Sequence, residues 1–216
     1  MSGRRRLESR ETPLNRELDY RNIRFRTNKM ENGNIRSDAV ISPDGRYRYK
    51  LVRYWAKNRA PVIWIMLNPS TADDVQDDAT IRRCISFAKR WGFGGIEVYN
   101  LFALRSRYPV RIQRTDDPIG PENDRWLKKA ACSRRTIVVA WGRCGTLLQS
   151  RRAAGVMGLL ARYMDAHPVA LGLTRQGSPK HPLYVPNGVV LRPFLVTSQS
   201  SSRSKRALVP KRAIRC

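Results

Sequence analysis

The sequence is poor in histidine and cysteine, and neither residue type is arranged for a metal site. It has two histidines and four cysteines among 216 residues, and no two cysteines stand in a CxxC spacing. Protein zinc sites are built from cysteine and histidine ligands at short, recognisable spacings. We therefore expect no structural metal, and no cofactor is predicted either.

Long apolar runs are also lacking. No segment approaches the roughly 20 apolar residues needed to cross a bilayer, and the arginine-rich start, residues 2–10, is not followed by the apolar stretch of a secretory signal. The sequence predicts a cytoplasmic protein with no membrane partner.

Several catalytic signatures are missing. There is no GxxxxGK[ST] phosphate loop, no serine elbow and no HExxH pair. The glycines of 91–95 precede a predicted strand, whereas a dinucleotide-binding fingerprint opens a helix. Nucleotide-hydrolysing motors and Rossmann dehydrogenases are therefore excluded.

Acidic residues are few relative to basic ones. The chain has 42 Lys and Arg against 17 Asp and Glu, a formal charge of +25, of which residues 31–194 carry +14. An excess of this size makes nucleic acid, DNA above all, a physically reasonable partner. The alternative is an arginine-biased composition on a solvated surface, because net charge does not show clustering.

The chain divides into three segments by composition. Residues 1–36 are rich in charge and have no sustained apolar period, which predicts a basic, flexible N-terminal extension. Residues 195–216 include a serine run followed by basic residues and predict a disordered basic tail. A single α/β domain is expected over 37–194, and the sequence leaves its oligomeric state open.

Strands and helices alternate within this domain. Ser42-Pro43-Asp44-Gly45 favours a tight turn between two strands and predicts an N-terminal β-hairpin. Apolar runs and helical stripes predict the next elements: strands at 62–67, 96–101, 136–141 and 169–173, and helices at 78–91, 121–131 and 146–164. Four buried strands separated by helices indicate a three-layer αβα fold with a short, mainly parallel four-stranded central sheet.

Ligands of open α/β sheets bind beyond the carboxyl ends of the strands. The segments that follow the predicted strands are polar, and we expect them to converge on one edge. The candidate site residues are Asn68, Pro69, Ser70, Thr71, Asp73, Asn100, Arg105, Asn123, Trp141, Thr174, Arg175, Lys180, His181 and Tyr184.

Two of these residues suit chemistry. The Asn68 amide can hold a water molecule or a base edge, with Pro69 stiffening its turn, or it can simply close that turn. A neutral His181 can donate to an oxygen that gains charge, or it can bond to nearby backbone. Trp141 and Tyr184 can stack on a base or belong to the core. The acids at 73–78 are more typical of helix caps than of a cation site.

The run 64–73, Trp-Ile-Met-Leu-Asn-Pro-Ser-Thr-Ala-Asp, resembles the bacterial and phage family known as domain of unknown function 1643. The same holds for the segments at 78–83, 100–105, 117–124 and 180–184. The resemblance spans about residues 39–194. It implies a common domain but no reaction.

A second resemblance concerns two loops. Leu67-Asn68-Pro69-Ser70 and His181-Pro182-Leu183 are similar to the strand-end and His-Pro loops of the uracil-DNA glycosylase superfamily. This resemblance implies a uracil-DNA-glycosylase-like fold, with Asn68 orienting the attacking water and His181 stabilising the departing base. Met66, Ser70 and Leu183 differ from the residues of that pattern.

Three functions follow as alternatives. The first is a crevice for a nucleobase or nucleotide, in which Asn68 and His181 are catalytic and hydrolyse an N-glycosidic bond in DNA. The second is a non-catalytic nucleic-acid-binding or adaptor domain. The third is an enzyme acting on free nucleotides or modified bases.

Overall fold

A computed structural model describes the backbone of residues 24–29 and, with side chains, residues 36–70, 76–164 and 167–195. Most of the two predicted basic tails lies outside the described residues. Residues 24–29, which the sequence assigns to the N-terminal extension, form a strand.

Eight strands and three α-helices make up the described fold. In chain order they are β1 (Arg24–Lys29), β2 (Arg36–Ile41), β3 (Arg48–Tyr54), β4 (Pro61–Met66), α1 (Ala79–Arg90), β5 (Gly95–Asn100), α2 (Asn123–Ala131), β6 (Ile137–Val139), α3 (Leu147–Tyr163), β7 (Val169–Ala170) and β8 (Arg192–Pro193), with short 3₁₀ turns at Pro109–Arg114 and Pro182–Tyr184.

All these strands belong to one mixed sheet, in the order β1-β2-β3-β5-β4-β6-β7-β8. The four adjacent strands β5, β4, β6 and β7 are parallel, as the βα alternation indicates. β3 pairs antiparallel with β5, and β8 pairs antiparallel with β7. The sheet is therefore larger than the four strands predicted, because antiparallel strands extend it at both edges.

β4 is the central strand, and both of its faces are covered. Successive side chains of a strand point to opposite faces. Ile63 and Ile65 accordingly enter one apolar cluster, which α2 and α3 complete, while Val62 and Trp64 enter a second cluster completed by α1. This burial on both sides explains why the sequence of β4 is continuously apolar.

Helix α1 begins at a cap and ends at a glycine. The Asp78 side chain accepts a 2.8 Å hydrogen bond from the Ile81 amide, which satisfies a donor that would otherwise be unpaired. Buried residues of the helix face β4, where Trp91 at its end stacks on Trp64 with ring centroids 5.8 Å apart. Gly92, at a φ of 81°, turns the chain towards β5.

A buried charge cluster is centred on Glu97 in β5, which is 3% exposed. The Tyr99 hydroxyl donates to it over 3.0 Å, and the Tyr54 hydroxyl also donates to it. Arg135 and Lys50 lie 2.7 Å and 3.0 Å from its carboxylate oxygens. Burial favours the neutral acid, but the Lys50 charge and these partners outweigh burial, and the pKa of Glu97 is lowered.

The described helices include none with the length and apolarity that a membrane span requires.

Candidate active site at the carboxyl edge of the parallel strands

The loops that leave β4 and β5 stay together beyond the strands. The Leu101 amide donates to the Met66 carbonyl over 2.8 Å, and the Phe102 amide donates to the Leu67 carbonyl over 3.0 Å. Parallel pairing thus continues for two residues after the strands end. The segments containing Asn68 and Asn100 therefore emerge at the same edge of the sheet.

Asn68 is fixed by backbone oxygens. Its Nδ2 donates to the Ser106 carbonyl over 2.9 Å and to the Pro69 carbonyl over 3.1 Å. The Ser106 amide in turn donates to the Pro69 carbonyl over 2.9 Å. The amide nitrogen therefore holds the loop, whereas Oδ1 accepts from no donor among the described residues and is the atom that a ligand or water can use.

Ser70 connects this loop to helix α1. Its hydroxyl donates to one carboxylate oxygen of Asp78, while the other oxygen caps the helix. Asp78 therefore has the capping role that the sequence predicts, and it has a second partner that local spacing does not reveal.

His181 lies on the loop that follows β7. Its Nδ1 accepts a weak, 3.4 Å hydrogen bond from the Leu183 amide. Burial lowers the pKa of His181 below its usual 6.5, and the negative charge of Asp78 opposes part of this shift. Its imidazole is therefore neutral at pH 7, and because Nδ1 is an acceptor, the proton is on Nε2.

Two other elements hold the His181 loop in place. Arg83 of α1 donates to the carbonyls of Pro182, over 3.3 Å, and Val185, over 2.5 Å. At the end of β6, Gly142 approaches the histidine so closely that a Cβ added there would lie 3.4 Å from the His181 Cβ. Since Gly142 also has a φ of 77°, a larger residue there would be strained.

Asn100 is the least satisfied polar residue at this edge. It is 1% exposed, and neither Oδ1 nor Nδ2 has a hydrogen-bond partner in the described part of the chain. Ile96 and Val98 of β5 belong to the cluster under α1, so strand alternation directs Asn100 to that same face. A buried amide without partners costs about 1–3 kcal/mol, which singles out this position.

Two further predicted residues have structural partners. Asn123 is fully buried and donates through Nδ2 to the carbonyls of Asn100 and Leu101, over 3.1 Å and 3.0 Å. Arg105 donates from its guanidinium to the Gly45 carbonyl over 3.1 Å, linking the β5 loop to the β2–β3 turn. Both residues lie beside the crevice and brace its walls.

The other candidates differ in accessibility. Trp141 is buried in the core, edge-on to Phe194. Thr174 closes a turn by accepting from the Ser178 amide over 3.2 Å, with Arg175 exposed beside it. Lys180 is also exposed, and Tyr184 is 80% exposed with its ring 5.7 Å from that of His181. Tyr184 is therefore the aromatic residue of this set that is open to a ligand.

Thr71 and Asp73, also predicted for the site, lie outside the described residues. Within the described ranges, hydrogen bonds and close contacts connect Ser70, Asp78, Arg83, Gly142 and His181 into one assembly. Sequence reasoning missed Ser106 and Arg83. Neither carries a local signal, because both act on backbone 38 to 102 residues away.

No group of three potential metal-ligating side chains is found in the described part of the chain. The polar groups available at this edge are amides, hydroxyls, one carboxylate and one neutral imidazole. Such a set can hold a water molecule, form hydrogen bonds to an amide-like ligand edge and donate a proton to an oxygen that becomes negative.

The fold and this crevice together define a mixed α/β protein with polar loops gathered at the carboxyl edge of four parallel strands. The chain belongs to the family described as "Protein of unknown function (DUF1643)", whose model matches residues 48–183. The family resemblance seen in the sequence is thereby confirmed. No curated protein and no solved structure matches the chain.

Proposed function

We propose that this protein binds a nucleobase or nucleotide in the crevice formed by Asn68, Asn100 and His181, and that it hydrolyses an N-glycosidic bond in DNA. The observation that carries the proposal is the buried, unpartnered amide of Asn100. A primary amide offers one donor and one acceptor, and it matches the adjacent acceptor and donor on a base edge.

The state of His181 supports the reaction. In glycosidic hydrolysis, the oxygen of water bonds to C1′ of the sugar, the C–N bond breaks, and its electron pair leaves with the base. Proton transfer from water, directly or through solvent, completes both products. A neutral imidazole with its proton on Nε2 can donate a hydrogen bond to a base oxygen as negative charge develops there.

The position of Asn68 supports the attack. Its Oδ1 accepts from no donor in the described chain, and its orientation is fixed because Nδ2 bonds the Ser106 and Pro69 carbonyls. A fixed acceptor of this kind orients a water molecule. The four parallel strands, with these two loops after the first and last of them in chain order, also support the uracil-DNA-glycosylase-like layout.

Base release from DNA tests this proposal. Oligonucleotides carrying single deaminated or alkylated bases, both single-stranded and in duplexes, would be incubated with the protein, and abasic products would be cleaved with alkali. We expect His181→Ala and Asn68→Ala to lower the rate by about 10²–10³, the usual loss for one such donor or orienting group. His167→Ala, at an exposed histidine before β7, is the matched control.

Rates of His181→Ala and Asn68→Ala within a few-fold of the parent would refute the catalytic assignment. The assay must also be run with free nucleosides and nucleotides, since a thermal shift with those ligands and no reaction on DNA would indicate an enzyme of free nucleotides.

A second function is favoured by one observation. The Asn68 amide nitrogen is consumed in holding its own loop, as in a domain that uses the fold only to bind nucleic acid. Salt-dependent DNA binding without release of any tested base would support this alternative. No DNA binding even at low salt would refute both functions.

A further inference from the structure

A separate cavity lies on the outer layer of the fold, between α2 and α3. Its volume is about 500 Å³, and its lining includes three cations, one acid, one glycine and one aromatic ring: Arg125, Lys128, Arg162, Asp124, Gly158 and Tyr163. The crevice residues Asn68, Asn100 and His181 do not line it.

The charges of this cavity are not balanced. Asp124 lies 2.5 Å from Arg152, and Arg125 lies 3.2 Å from Glu122, so the lining acid and one lining cation have ion-pair partners. Lys128 and Arg162 have no ion-pair partner among the described residues. Their neighbour is the Tyr163 ring, 4.8 Å from the Lys128 nitrogen and 5.7 Å from the Arg162 guanidinium carbon. An aromatic ring attracts cations but leaves their charge available to an anion.

Gly158 leaves the floor of the cavity open. A glycine within a helix is less favourable than alanine, and packing does not require it here, because an added Cβ at Gly158 would meet no atom within 4 Å. The missing side chain allows a ligand to approach the helix backbone closely between the two cations.

From this geometry we infer that the cavity between α2 and α3 binds a phosphate group. Lysine provides a compact charge for such an anion, and arginine provides a planar set of donors. The +14 charge of residues 31–194 favours the backbone phosphates of nucleic acid as the source. This choice of source rests on the proposed function, whereas recognition of phosphate does not.

Matched variants of the full chain test the site. Gly158→Gln fills the cavity without changing charge, and Gly155→Gln is its control, because Gly155 lies on the same helix, also faces open space and does not line the cavity. Lys128→Gln with Arg162→Gln removes both unpaired cations. Lys57→Gln with Arg59→Gln removes two exposed cations from the turn before β4 and controls for net charge. Thermal unfolding would verify that each variant folds.

Binding of a labelled DNA oligonucleotide would be measured by fluorescence anisotropy over a salt series. The slope of log Kobs against log[salt] changes by about one for each lost phosphate contact. We expect this loss for Gly158→Gln and for the Lys128 and Arg162 pair, with no such change in either control. Inorganic pyrophosphate should shift the amide NMR signals of α2 and α3 around the cavity in the parent, but not in Gly158→Gln.

The outcomes separate this inference from the proposed function. Equal salt slopes for the parent and both cavity variants, together with unmoved pyrophosphate signals, would overturn the inference, even if base release persists. Pyrophosphate binding at the cavity without DNA binding would support a phosphate site for a small phosphorylated ligand and would refute the proposed action on DNA.

Discussion

The hydroxyl of Ser70 and the carboxylate of Asp78 join the loop after β4 to the N-terminus of α1. The same carboxylate caps the helix through the Ile81 amide and influences the charge state of His181. One acidic side chain thus connects the segment after the first parallel strand, a helix end and the segment after the last parallel strand.

Loss of this connection should be measurable as lost stability. We expect Asp78→Ala to lower the free energy of unfolding by about 0.5–2 kcal/mol, the cost of removing an N-cap, while Ser70→Ala should cost about 1 kcal/mol or less. Urea unfolding of both single variants and the double variant would measure their coupling. Strictly additive effects would show that the Ser70–Asp78 hydrogen bond contributes no stability.

His181 should make stability depend on pH. Its pKa is lowered in the folded protein, so below about pH 6.5 the unfolded chain binds a proton that the folded protein does not. The free energy of unfolding should therefore decrease as the pH falls from 6.5 to the lowered pKa. His181→Gln should remove this dependence, and His167→Gln should retain it, as measured by urea unfolding at several pH values.

Asp78 can be tested through the same histidine. Since its negative charge raises the pKa of His181 against the effect of burial, Asp78→Asn should lower that pKa further. Titration of the imidazole protons by NMR, with the signals assigned from the two histidine variants, measures the shift. An unchanged His181 titration in Asp78→Asn would show that the two groups are not coupled.

Asn100 should contribute to ligand binding at the expense of stability. Asn100→Leu removes two buried atoms without partners and should raise the free energy of unfolding by about 1 kcal/mol, while abolishing binding of the nucleobase. Asn123→Leu is the matched comparison, because it loses two hydrogen bonds to backbone carbonyls and should destabilise the protein by about 1–3 kcal/mol. Urea unfolding and a nucleoside thermal-shift assay measure the two effects. A destabilised Asn100→Leu that still binds nucleosides would contradict this role.

The Glu97 cluster should control stability in acid. Because the pKa of Glu97 is lowered below 4.5 in the fold, its stabilising contribution is present above that value and is lost as the pH falls through the lowered pKa. Glu97→Gln leaves the charges of Lys50 and Arg135 without their acid, and it should cost about 3 kcal/mol at pH 7. It should also flatten the dependence between pH 5 and 3 in urea unfolding. Tyr54→Phe, which keeps the charges, should retain that dependence.

The central elements could be predicted from local pattern. β4 and α1 lie within one residue of their predicted bounds, because a continuous apolar run and a helical stripe with an acidic cap are local signals. β7 is shorter than predicted, with two residues in place of five. Gly172, at a φ of 113°, turns the chain away from the sheet there. The pairing of β3 with β5 was not foreseen, because strand order depends on distant contacts.

The site was foreseen only in part, for the same reason. The edge of the sheet and the residues Asn68 and His181 follow from what comes after each strand. The engagement of the Asn68 amide with the Ser106 carbonyl depends on a loop 38 residues away. Likewise, an aromatic residue after a strand, such as Trp141, has the same sequence signal whether it enters the core or faces a ligand.

The attachment of the His181 loop to Arg83 has a consequence for protein engineering. Since α1 holds this loop through Arg83 and the Asn68 loop through Asp78, neither loop is an independent module. A chimera that exchanges either loop with that of a relative would have to import α1 as well, and the helix, with both loops, is the smallest unit that can be transplanted.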